Sequence, residues 1–123
     1  MLAVILQQSF CMKIFSTDQV REWDNATISK ESIDSINLME RAAQKCSEWL
    51  VNNIPADKKF IIFCGKGNNG GDGLAIARML LQHDRPIRTF ILATTDTRSK
   101  DFSVHLQRIE QMAGAIDRHD TEK

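Results

Sequence analysis

Phe60 to Leu80 reads FIIFCGKGNNGGDGLAIARML: an unbroken apolar run, glycines at 65, 67, 70, 71 and 73 around two adjacent asparagines, then an amphipathic tail. The run KFIIFC, Lys59 to Cys64, is bulky and β-branched without alternation, which predicts a strand covered on both faces in a parallel sheet. From Asp72 to His83, residues Leu74, Ile76, Ala77, Leu80 and Leu81 fall in one arc, with Arg78 and Gln82 outside it. That spacing predicts a helix. At a strand, glycine loop and helix start, unpaired amide N–H groups and the positive end of the helix dipole converge. Such a turn seats an anion, most often a phosphate.

The five glycines are expected to permit positive φ and to let a ligand approach the backbone without meeting a Cβ. Asn68 and Asn69 tolerate left-handed conformations, and their amides offer donors and acceptors. Asp72 has two readings, a helix cap stabilised by the dipole or a group that orients the loop or a polar part of the ligand. The GxxxxGK[ST] order of a Walker A loop is missing. Gly65-Lys66-Gly67-Asn68-Asn69-Gly70 satisfies G-x-G-x-x-G, but the acid expected ~20 residues on is absent until Asp96, which disfavours a generic dinucleotide oxidoreductase. Arg98, in the loop after the second strand, has two readings, a contact for an adenosine 2′-phosphate or a solvated loop cation, and is left unassigned.

Downstream, Asp84-Arg85-Pro86 breaks the helix and IRTFILA, Ile87 to Ala93, reads as a second buried strand. Phe102, Leu106, Ile109 and Ala113 mark a further helix stopped by Gly114, and Ala115-Ile116 reads as the start of a third strand. The resulting βαβα unit implies parallel neighbouring strands with a right-handed crossover. Upstream, Ser16-Thr17-Asp18-Gln19 forms a capping box ahead of a helix with Val20, Trp23 and Ala26 on one face. A second helix follows, with Asn37 as its cap and Glu40 three residues later. Its face holds Met39, Ala42, Ala43, Cys46 and Leu50, and it ends near Pro55.

With 123 residues, 42% of them apolar, the chain has room for one domain at most. Sixteen basic and sixteen acidic side chains cancel, so no long-range field gathers nucleic acid or anionic membranes. Cys11, Cys46 and Cys64 fit neither a disulfide framework nor a zinc pattern; Cys46 and Cys64 read as small buried hydrophobes in a reducing cytoplasm. The opening MLAVILQQSFC lacks a basic n-region and is too short to span a bilayer. Because Met12 stands just before the first helix, residues 1–11 are set apart as a disordered tail or start-site artefact, and 12–123 as the domain portion. His83, His105 and His119 read as surface histidines.

The segment GKGNNGGDGLAIARML resembles the signature of the YjeF N-terminal domain family, the NAD(P)H-hydrate epimerases, and STDQVREWDNATI with SINLMERAA resembles that family's two leading helices. The resemblance implies a Rossmann-like three-layer α/β/α sandwich with a mainly parallel sheet, preceded by two helices and here truncated after about two strands. It implies an isomerase of nicotinamide nucleotide repair that interconverts the R and S forms of NADHX and NADPHX. Carried over residue by residue, Asn68, Asn69, Gly70, Gly71 and Asp72 bind the substrate, and Asn69 also binds a potassium ion. The family's catalytic aspartate and remaining potassium ligands are expected beyond Lys123, so the chain is expected to be inactive alone. A homodimer and a fused or separate dehydratase are the expected partners. The alternative is a non-catalytic dinucleotide-binding or interaction module of the same fold.

Overall fold

The structure is a computed structural model that describes residues 14–92 and 97–112, together with the backbone of 117–119. The element order is α1 (Thr17–Glu31), α2 (Ser35–Asn53), β1 (Phe60–Cys64), α3 (Asn68–Gln82), β2 (Ile87–Leu92), α4 (Lys100–Glu110) and β3 (Asp117–His119).

The capping box at α1 forms as expected. Gln19 N donates to Ser16 Oγ at 3.3 Å and Ser16 N donates to Gln19 Oε1 at 2.8 Å. None of the residues of α1 is buried, however, and Trp23 remains 55% exposed, its ring tilted 55° against that of Phe15 with centroids 4.3 Å apart. The expected apolar face of α1 is therefore only loosely covered.

Helix α2 starts earlier than expected. Its cap is Asp34 and not Asn37, whose own N–H donates to Asp34 Oδ1 at 2.8 Å. A carboxylate gains more than an amide from the positive end of the helix dipole. The buried stripe runs Met39, Ala43, Ser47, at i, i+4, i+8, while Ala42 and Cys46 are exposed. Cys46 is thus not a core residue. Ser47 takes the next position on the stripe because its hydroxyl donates back to Ala43 O at 2.8 Å and leaves nothing unpaired.

The sheet is parallel, in the order β1-β2-β3. Its short third strand follows directly on the expected strand start at Ala115-Ile116, with Phe90 opposite Asp117 and Leu92 opposite His119. Ala93, Ala113, Gly114, Ala115 and Ile116 lie outside the described residues. On the inner face, Cys64 joins Leu74 and Ala77 of α3 and Phe102, Leu106 and Ile109 of α4 in one buried cluster, with Ile62, Ile87 and Ile91 packed against it. The other face departs from expectation: Ile61 is 58% and Phe63 65% exposed, the latter stacked on Phe90 at 5.3 Å. No described helix covers those rings, so the described residues give two of the three expected layers.

His105 is also a correction. It is fully buried in α4, on the same face as Phe102, Leu106 and Ile109. Beside it Glu40 of α2 accepts from Arg78 of α3 at 2.5 Å and from Arg108 of α4, so one carboxylate ties three helices together. Among the described residues, no helix is long and apolar enough to cross a membrane.

Candidate functional site

The turn that leaves β1 is shorter than the glycine content suggests. Helix α3 begins at Asn68, so NNGGD forms its first turn and Asp72 is its fifth residue. The N-cap is Gly67, with φ −87° and ψ −172°, and no side chain accepts from the first amides. Asp72 is therefore not the cap, and the amide N–H groups of the first turn keep their capacity for an external acceptor. Ser99, the N-cap of α4, donates its N–H to Lys66 O at 3.0 Å and fixes the turn against the start of α4.

The glycines divide by what surrounds them. A Cβ at Gly65 or Gly67 meets nothing within 4 Å, whereas one at Gly70 falls 1.7 Å from Gly65 O. One at Gly71 sits 3.1 Å from the Met39 sulfur and 3.3 Å from the Phe102 backbone, and one at Gly73 sits 2.8 Å from the Cys64 sulfur. None of the five has a positive φ. Gly70 and Gly71 are thus packing glycines that draw α3 onto its own turn, onto α2 and onto α4. The open positions, where a ligand can approach the backbone, are Gly65 and Gly67.

Next to this turn lies a cleft of about 510 Å³. Arg21, Asp24 and Asn25 of α1 line one wall, and Asn68 and Asp72 of α3 with Asp101 of α4 line another. Met39 and Leu38 of α2 contribute apolar surface. Burial pushes the Asp72 carboxyl above its ordinary value of 3.8, and the charges of Asp24 and Asp101 push it the same way. Among the described residues, no three His, Cys, Asp or Glu side chains converge as a metal site.

Of the five residues expected to bind substrate, Asn68 and Asp72 line the cleft, Asn69 is exposed and outside its lining, and Gly70 and Gly71 are buried behind it. The sequence reading missed Arg21, Asp24, Asn25 and Asp101. Three of these lie on the polar side of an ordinary amphipathic helix. Asp101 resembles any acid in the first turn of a helix, and nothing local marks any of them as neighbours of Asp72.

A parallel strand, a glycine turn and an uncapped helix start beside a cleft at the carboxyl end of the sheet define an α/β fold of the Rossmann-like kind. The chain belongs to the family described as YjeF-related protein N-terminus, whose model matches residues 35–123. It is 38% identical over 96 residues to an NAD(P)H-hydrate epimerase of Oenococcus oeni, covering 77% of this chain and 46% of that protein. It is 33% identical over 108 residues to a bifunctional NAD(P)H-hydrate repair enzyme of Moorella thermoacetica, covering 85% of this chain and 20% of that protein. A yeast protein of known crystal structure superimposes with a TM-score of 0.72 at 21% identity, over 89% of this chain and 48% of that one. This chain thus spans about half the length of the epimerase relative and of the yeast protein.

Proposed function

We propose that this chain supplies the glycine-turn half of an NAD(P)H-hydrate epimerase, an isomerase that interconverts the R and S forms of NADHX and NADPHX. The observation that carries the reading is the placement of NNGGD. It forms an uncapped first helical turn, with Asn68 and Asp72 facing a cleft large enough for part of a dinucleotide. The diphosphate takes the free amides at the start of α3, where the dipole favours it and where Gly65 and Gly67 leave room.

Asn69 belongs to the proposal as a potassium ligand. It is exposed at the second position of α3, and its amide oxygen is a hard, neutral donor that suits an alkali cation. Further oxygens are expected from the part of the relatives' length that this chain does not span. A dehydratase partner is supported by the relatives from Moorella thermoacetica and Salinibacter ruber, both named as bifunctional repair enzymes. Homodimer formation and a cytoplasmic location complete the reading. A non-catalytic binding module would share the same turn, but the relatives are named as enzymes.

The test is to supply the protein carrying this chain with (R)-NADPHX and follow the appearance of the S form by chromatography. Equilibration faster than the protein-free control is expected. An unchanged rate with folded protein contradicts the proposal.

A further inference from the structure

His105 is fully buried beside the point where Glu40 ties α2, α3 and α4 together, and neither of its ring nitrogens has a hydrogen-bond partner among the described residues. A buried imidazole ordinarily has both its N–H and its acceptor nitrogen paired, and leaving them orphaned is costly. Its Nδ1 lies 3.7 Å from Glu40 Oε1, just beyond hydrogen-bond reach. That oxygen already accepts from Arg108 Nη1, while Arg78 Nη2 donates to Oε2 at 2.5 Å. The imidazole and Arg108 therefore approach one oxygen, and Arg78 holds the other.

The two guanidinium groups differ in their freedom to leave. The Arg78 side chain is 15% exposed and its Nε is already without a partner, so parting from Glu40 would strand a buried charge. The Arg108 side chain is 41% exposed and can exchange the carboxylate for water at little cost. The charged groups that act on His105 are Glu40 of α2, Arg78 of α3, and Arg108 and Asp101 of its own helix. We propose that this cluster is a proton-operated exchange of partners: His105, on taking one proton from solvent, donates from Nδ1 to Glu40 Oε1 and sends Arg108 out to water. Glu40 faces two cations before and after, so the buried node accepts the proton without gaining net charge. Burial holds the imidazole below its ordinary value of 6.5 and Arg108 adds to this, so the exchange falls below pH 6.5 and the departure of Arg108 eases it. Helix α4 is then held to α2 one turn nearer its start, closer to the Phe102 backbone that packs on Gly71. Nothing in this exchange depends on the substrate.

The experiment follows the His105 ring and the Arg78 and Arg108 side-chain resonances of the full chain by NMR between about pH 7.5 and 5. The amide spectrum monitors folding. The Arg108 resonances are expected to shift with the same midpoint as the His105 ring while those of Arg78 stay nearly constant, and in His105→Leu the Arg108 shift is expected to disappear. In Arg108→Gln, where the competitor for Oε1 is gone, the His105 midpoint is expected to rise by roughly half a pH unit or more. Arg108 resonances that stay fixed while His105 titrates overturn the exchange, as does a His105 midpoint unchanged or lowered in Arg108→Gln. Proton uptake by His105 only where the amide spectrum collapses would also overturn it, leaving His105 as a core residue that titrates on unfolding.

Discussion

The carbonyl oxygen of Gly65 occupies the place where a side chain at Gly70 would begin: a Cβ there falls 1.7 Å from it. The first residue after β1 and the third residue of α3 are in close backbone contact, and this contact lets the helix start immediately after a three-residue turn. Alanine at position 70 gains about 1 kcal/mol of helix propensity. The clash is with backbone on both sides and outweighs that gain. Gly70→Ala is expected to destabilise the fold by about 2–4 kcal/mol, read as a lower urea midpoint. A midpoint equal to wild type would mean that the turn is not packed as described.

Glu40 is the common acceptor for Arg78 and Arg108, and Arg78 is mostly buried. Removing the carboxylate leaves two guanidinium groups facing one another between α2, α3 and α4. Because Arg108 is part-exposed and screened, the cost falls below that of a fully buried pair. Glu40→Ala is expected to lose about 2 kcal/mol in chemical denaturation, and Arg108→Ala less than half of that.

His105 makes stability depend on pH. Burial holds its imidazole below the ordinary value of 6.5, Arg108 and Arg78 add to this, and Glu40 and Asp101 oppose it. Both ring nitrogens lack a hydrogen-bond partner. The unfolded chain therefore takes up a proton near 6.5 that the folded chain refuses, so stability falls as the pH drops below about 6.5, by at most ~1.4 kcal/mol per pH unit. In His105→Leu this part of the slope is expected to vanish. An identical slope in wild type and variant between pH 5 and 7 would show that His105 is not its source.

Asp72 has the opposite sign. Its folded carboxyl is raised above 3.8, so the folded state holds a proton more tightly than the unfolded chain, and at neutral pH the charged group opposes folding. Asp72→Asn is expected to raise the thermal midpoint at pH 7, with the difference shrinking at pH 3, while substrate affinity falls. Stability lost on mutation at pH 7 would contradict the crowding of Asp24, Asp72 and Asp101.

Some of this was legible in the residues and some was not. The apolar run at Phe60–Cys64 and the arc from Leu74 to Leu81 are long enough to declare their elements, and the capping box at Ser16 is a local motif that needs no tertiary help. The start of α3 was missed by four residues because a glycine pair reads as loop, and the contacts that make those glycines helical come from Gly65, Met39 and Phe102. His105 was readable in principle. It is three residues after Phe102 and four before Ile109, inside the apolar arc, and treating it as a polar residue hid that position. The exposure of Ile61 and Phe63 was not readable, since their apolar character is that of a covered strand. The acid-lined cleft exists only through the packing of α1 and α4 around α3, which no local pattern encodes.

The central claim, that the open turn at the start of α3 seats the substrate's diphosphate, is tested most directly by the affinity of NADPHX for Gly67→Val. A Cβ at position 67 meets nothing within 4 Å, so the fold should hold, with a midpoint lowered only by the poorer N-cap, while the approach to the amides is filled. The account predicts affinity at least about tenfold weaker than wild type with native spectra. Equal affinity in the two proteins would place the diphosphate elsewhere and contradict it.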